Sequence, residues 1–294
     1  MNGLTNYITD RPWEDTITRW YVLVDDTYQR ILARCGRPLR ASGPAPCFSD
    51  SEVITVALII ETFFQGHEEV GYAFVRQYLR ALFPHLLDLD RFNARRRDLL
   101  GLIEAIRCDL RDQILDHADP IRLVDSAPVT LMTYTRGDVC HSVIGKAYFG
   151  VVTSKKGKFF GWRLHTTVTG DQLIDDWMLA PASVPDPQAL EALVEQRCDL
   201  TLIGDKIYND VGLEERLWRK KRILLLPLRK DNQKLQWPAG VQSTLGWLRH
   251  RVETVFSALT TVFNVQRPRG RSLAGHLVRI ATCILAHTLS FFMQ

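Results

Sequence analysis

The sequence predicts a mixed α/β fold, a central sheet flanked by helices, preceded by an all-helical N-terminal domain. Residues 13–118 place apolar side chains at three- and four-residue spacing. From 121 to 228, short runs rich in β-branched and aromatic residues alternate with helical periods, the order of a sheet covered by helices. The expected division is 1–118 and 119–294.

Within the first part, 17-ITRWYVLVDDTYQRIL-32 and 98-DLLGLIEAIRCDLRDQIL-115 repeat apolar residues with a helical period. In 48-FSDSEVITVALII-60, Ser49 or Asp50 can cap a helix ahead of the apolar run. The Gly/Pro cluster 36-GRPLRASGPAP-46 separates two helical groups. Arg95, Arg96 and Arg97 lie between two helices, where a solvated helix start competes with DNA contact. After Pro120 come IRLVD (121–125), two strands in 148–169 around the turn SKKGK, the run 176-DWMLAP-181, a helix near 186–196, strand 200–205, a helix in 211–220 and strand 223–228. A final helical region opens near Ser243.

With 294 residues, 46% hydrophobic and 24% charged, the chain has the composition of a globular protein with a buried core. Its net charge is +4, but the charge is unevenly placed. From Lys206 to Arg279 there are 15 Lys or Arg against 5 Asp or Glu, a balance that suits a polyanion and equally a solvated face. The six cysteines have no C-x-x-C spacing, so a zinc site or a disulfide framework is not expected. They read as reduced, mostly buried thiols in a cytoplasmic protein. No secretory signal is expected at the start, and the apolar windows 54–64 and 277–292, interrupted by Glu61, Arg279 and His287, read as core helices.

Asp125 and Asp205 each follow a strand-like run, and strand ends are where α/β proteins place ligand sites, although aspartate also ends strands as a turn residue. Glu253 is the only acidic residue from Asn232 to Gln294. Projected at ~100° per residue, Leu245, Leu248, Val252, Val255, Phe256, Leu259 and Phe263 form one stripe with Glu253 on its flank. Arg249, one turn earlier, offers an alternative role for Glu253, a surface ion pair worth ~0.3 to 0.5 kcal/mol. Three carboxylates from two strands and a helix suit Mg²⁺, which prefers oxygen ligands, and two such ions can assist an in-line phosphoryl displacement.

The stretches 48-FSDSEVITVALI-59, 123-LVDSAPV-129, 159-FFGWRLHTTVTGDQLIDDWMLAPASVPD-186, 203-IGDKIYND-210 and 249-RHRVETVFSAL-259 resemble bacterial insertion-sequence transposases of the DDE superfamily. The likeness is nearest to the nine-eight-two group, with the four and five groups behind it. It implies an RNase H-like catalytic core, Asp125 and Asp205 as catalytic aspartates and Glu253 as the glutamate, all three binding two Mg²⁺, with Mn²⁺ as a substitute. It also implies terminal inverted repeats and target DNA as partners, a homodimer on paired ends and end binding by the helical region 1–118. The chain departs from the four-type pattern at Gly246 and Thr260, where that pattern has tyrosine and lysine, and keeps Arg249, a DNA contact in this reading. Only 47 residues separate Asp205 from Glu253, which leaves no room for a large insertion domain.

Further DNA contacts are expected from Lys206 and Tyr208 after Asp205, from Arg229 and Lys230 after a strand, and from Arg267, Arg269 and Arg271 in RPRGR. His165 is a candidate site neighbour or a structural histidine. Trp218, Trp237 and Trp247 read as packing residues ahead of base-stacking ones. There is no nucleophile elbow around Ser126 and no phosphate loop of the G-x-x-x-x-G-K-[ST] type. A nuclease that cuts without joining and a catalytically inactive DNA-binding descendant are the rival readings.

Overall fold

The computed structural model describes residues 13–36, 46–152, 157–230, 232–233 and 236–293. Helices α1 (Trp13–Cys35), α2 (Asp50–Phe64), α3 (Glu68–Tyr78), α4 (Leu89–Asp98) and α5 (Leu100–Ile114) come first. Strands β1 (Ile121–Thr133), β2 (Phe149–Val152), β3 (Gly157–Val168) and β4 (Ile174–Pro181) follow, then α6 (Asp186–Leu193), β5 (Thr201–Gly204), α7 (Val211–Lys221), β6 (Leu224–Pro227), α8 (Ala239–Thr261) and α9 (Leu273–Ser290). The chain divides into two compact units, 1–114 with 258–294, and 115–257.

In the first unit Ser49, not Asp50, caps α2. Its hydroxyl accepts from the Glu52 N–H, and the Glu52 carboxylate accepts from the Ser49 N–H. The run Val53–Ile60 is buried on every side, so α2 is the central helix, in contact with α1, α3, α4 and α9. By length and composition alone α9 could cross a membrane, yet Val278 through Ser290 are buried, with α5 and α2 among its neighbours. The C-terminal segment therefore groups with the N-terminal helices, whereas the sequence reading ran its second domain on to residue 294. An apolar helix buries wherever its surface finds a complement, regardless of distance along the chain. Residues 37–45 of the Gly/Pro cluster lie outside the described residues.

The second unit is built on a six-stranded mixed sheet of order β2-β3-β1-β5-β6, with β4 also paired to β3. β1 runs antiparallel to β3 and parallel to β5, and β5 runs parallel to β6. The other edge of β3 is shared, β2 pairing near Phe160 and β4 from Trp162 to Val168. Residues 153–156, which hold the first part of the expected turn SKKGK, lie outside the described residues, and Gly157 and Lys158 belong to β3. On one face Val124, Leu202 and Leu225 pack with Leu190 and Val194 of the α6 segment and with Leu213 and Leu217 of α7.

Two expectations are corrected. β1 does not stop at Asp125 but continues to Thr133, because β3 stays paired with it after β5 has ended; a strand edge of that kind tolerates Pro128. The thiols are free, but only Cys140 and Cys283 are buried. Cys35, Cys47 and Cys198 are exposed, since they sit at a helix end or in connecting segments.

Candidate active site

The last pair in register between the parallel strands β1 and β5 is Val124↔Gly204. Asp125 and Asp205 are the next residues, so two carboxylates follow side by side where the parallel pairing ends. Gly204 is required there: a Cβ would meet the Tyr208 ring at 2.7 Å and Val124 Cγ1 at 3.1 Å. The fully buried Tyr208 thus closes the short 3₁₀ turn Lys206–Tyr208 back over β5. Each aspartate accepts the backbone N–H of the next residue on Oδ1, from Ser126 at 2.8 Å and from Lys206 at 2.6 Å.

On α8 the expected stripe is realised: Leu245, Val252, Val255 and Leu259 are buried, and Leu248 and Phe256 are half-buried. Arg249 and Glu253 flank it. One Arg249 nitrogen, Nη2, lies 3.0 Å from Glu253 Oε1 and 3.5 Å from Asp205 Oδ2. The ion pair expected of Arg249 and Glu253 is present, and the same nitrogen also reaches Asp205. Glu253 also meets His250 Nδ1 at 3.0 Å. Burial pushes the Asp125 carboxyl up to about 6; the Ser126 N–H and Arg249 oppose the shift, while Asp205 and Asp186 add to it.

Asp186 is a buried carboxylate that the sequence did not single out and that acts on the two aspartates through its charge. At the first position of α6 and 5% exposed, it accepts from Ser126 Oγ at 3.1 Å and faces Arg163 Nε at 3.4 Å. Burial raises its pKa, with Arg163 and Ser126 working against the rise and Asp205 with it. Ser126 also donates its N–H to Asp125, so Asp186 is linked to the site through one residue. The only signal in the sequence was its place at the end of a stretch resembling transposases, because an acid in a helix first turn is otherwise ordinary.

Several expected contacts fare differently. Tyr208 is wholly buried, and Arg229 is 4% exposed, bonded to both Glu214 oxygens at 2.7 and 3.0 Å and lying over the Trp237 ring. Burial removes both from any surface DNA could reach. Lys206 is half-buried and Lys230 exposed. His165 pairs in register with Ser126, so strand alternation sends it to the sheet face opposite Asp125. It is buried, with neither ring nitrogen bonded among the described residues, and burial with Arg163 nearby depresses its pKa to about 4, which keeps it neutral. Arg267, Arg269 and Arg271 are exposed ahead of α9, in the first unit. Trp237 packs as expected, but Trp218 and Trp247 are 55% and 57% exposed, because they fall off the buried stripes of α7 and α8.

The family described as transposase DDE domain matches residues 115–273, more than half of the chain. The chain belongs to this family. No curated protein and no solved structure matches it. A DDE transposase acts on DNA, and Asp125, Asp205 and Glu253 all lie within the matched residues. The family generally uses divalent metals, and the donors here fit one in kind: they are oxygen-only ligands, and burial, with smaller contributions from Asp205 and Asp186, disfavours the Asp125 anion. Among the described residues no three His, Cys, Asp or Glu yet form a group that could hold a metal ion. Glu253 is instead engaged by Arg249 and His250.

Proposed function

We propose that this transposase uses Asp125, Asp205 and Glu253 as its acidic trio, cutting at the ends of a mobile element and joining the freed 3′-hydroxyl to target DNA. The observation that carries the reading is the adjacency of Asp125 and Asp205 at the end of the β1–β5 pairing, with Arg249 linking Asp205 to Glu253. Antiparallel pairing among β1, β3 and β4, with β5 and β6 running parallel to β1, supports an RNase H-like core. The three acids would hold two Mg²⁺, or Mn²⁺ in its place, and such ions supply charge stabilisation to the attacking and leaving oxygens.

The chain's own groups do the positioning. The strands fix the two aspartate backbones, and the Ser126 and Lys206 N–H groups each hold one Oδ1, so the carboxylates are pre-oriented before any ligand arrives. Cations near the site, Arg249 and Lys206 among them, would hold the phosphates of the terminal inverted repeats and the target. The helical region 1–118 would bind the element ends, and two ends joined in one reaction call for a homodimer. The nine-eight-two group is the assignment its motifs favour, and bacterial cytoplasm the setting.

The test is a joining assay with a pre-cut, 3′-hydroxyl-ended duplex, Mg²⁺ and supercoiled target. Asp125→Asn, Asp205→Asn and Glu253→Gln are each expected to lower joining by about 10³-fold or more. Undiminished joining by Glu253→Gln would remove it from the trio; cleavage by the wild type without joined product would make the chain a nuclease.

A further inference from the structure

Within the first unit a cleft of about 670 Å³ opens between the starts of α3 and α4 and the segment leading into α9. Five arginines line it, Arg96, Arg97, Arg269, Arg271 and Arg279, against Glu68, Glu69 and Asp90. Behind the cleft lies a fully buried carboxylate, Glu61, bonded to Arg96 Nη2 at 2.5 Å and Arg279 Nε at 2.9 Å. One buried carboxylate thus faces two buried guanidinium groups. Glu68, 3.3 Å from Arg96, compensates only from a position 43% exposed, and Arg96 Nε is buried with no partner among the described residues. His276, buried nearby with neither nitrogen bonded, has its pKa depressed to about 4 by burial and by Arg279, as a cationic setting requires.

The same network shapes the loop. Arg279 donates to the carbonyls of Gln65, Phe263 and Arg267, tying the end of α2 to the segment that carries the other arginines. Arg269 is held by His67 Nδ1 at 2.7 Å. Arg97 and Arg271 are exposed and, among the described residues, have no ion pair. Ser272 caps α9, whose first N–H groups carry the partial positive charge of a helix start.

We infer that this cleft is a phosphodiester-binding site for the DNA backbone, with Arg97 and Arg271 as its two phosphate-contacting side chains and the Arg96–Glu61–Arg279 network as the support that holds the loop. The inference rests on the reading of the chain as a transposase, and it deepens that reading by assigning a DNA contact outside the acidic trio.

The test uses the full chain with EDTA, so that no divalent ion contributes, and a labelled duplex of arbitrary sequence titrated at increasing KCl by fluorescence anisotropy. Each phosphate contact adds about 0.9 to the slope of log K against log[salt], so Arg97→Ala with Arg271→Ala should make it shallower by about two. Lysine at both positions should restore it, because the contact is a charge on a phosphate. Both side chains are exposed, so the melting temperature should hold, separating lost contact from lost fold. Arg216→Ala with Arg219→Ala removes the same charge from exposed ion pairs of α7 and should leave the slope near that of the wild type. An unchanged slope in the cleft variant, or an equal loss in the α7 variant, overturns the site. If joining by the wild type survives that result, only the cleft fails; if the wild type neither binds nor joins DNA, the transposase reading fails with it.

Discussion

Two arginine–carboxylate clusters in this molecule are built as opposites. In the first unit Glu61, wholly buried, stands between Arg96 and Arg279, so two cations share one anion. In the second unit Arg249, about a third exposed, stands between Asp205 and Glu253, with Asp125 close enough to feel its charge, so one cation serves several anions. The first cluster is closed: Arg279 is further satisfied by three backbone carbonyls and Arg96 by Glu68, which makes it a structural node. The second is open and short of positive charge. An excess of one sign, left partly exposed, is a site that calls for a ligand of the other sign.

Removing the centre of the closed cluster should have the largest effect on stability. Glu61→Ala takes from two buried guanidinium groups the one buried carboxylate they share, a loss of about 3–5 kcal/mol, read as a fall of ~10 °C in Tm. Burial would raise the Glu61 pKa, but Arg279 and Arg96 outweigh it and hold the pKa below the ordinary 4.5. A depressed pKa means this stabilisation is present above the unfolded value and is lost as pH falls through the folded one. The gap between wild type and variant should therefore persist at neutral pH and narrow only in strong acid. A variant as stable as the wild type would make the node dispensable.

In the open cluster the sign reverses. The Asp125 pKa is raised from 3.8 to about 6, so the folded state holds the proton more tightly and stability falls as pH rises through that window. Asp125→Asn escapes the penalty. It should gain on the order of 2 kcal/mol at pH 7 to 8 in EDTA, the gain vanishing below about pH 4, while losing joining activity. A variant less stable than the wild type at pH 7 would show that attraction to Arg249 and the Ser126 N–H outweighs the burial of Asp125.

Arg249→Gln sharpens the comparison further. Removing the cation that engages Asp205 and Glu253 should strengthen divalent-ion binding without DNA by up to about tenfold, measured by calorimetry with Mn²⁺. Weaker binding would mean that Arg249 orders the carboxylates instead of competing for them. The smallest effect is expected at Glu253 itself: its pairs with Arg249 and His250 are exposed enough that Glu253→Ala should cost only ~0.3 to 0.5 kcal/mol by chemical denaturation. A loss several times larger would give it a structural role beyond the ion pair.

Much of the fold was legible because it is locally written. The apolar run of α2 behind its candidate caps Ser49 and Asp50, the short runs of β5 and β6 and the α8 stripe are all set by neighbours within a few residues. The acids at Asp125 and Asp205 were legible for the same reason, each marking the end of an apolar run. Local pattern misled at β1, where a partner on one edge outlasts the other, and at Arg229 and Tyr208, whose charge and ring looked available until the core closed over them.

The sequence alone, then, determined the order of helices and strands, the candidate trio and the cationic balance of the second half, since composition and periodicity are properties of the chain itself. Tertiary structure decided what those residues face. Strand register brought Asp125 beside Asp205, the start of α6 brought Asp186 to Ser126, and the burial of α9 carried Arg279 to Glu61 across more than two hundred residues. Pairings at such distances leave no local period, because they are chosen by burial of apolar faces and by the cost of leaving a buried charge alone.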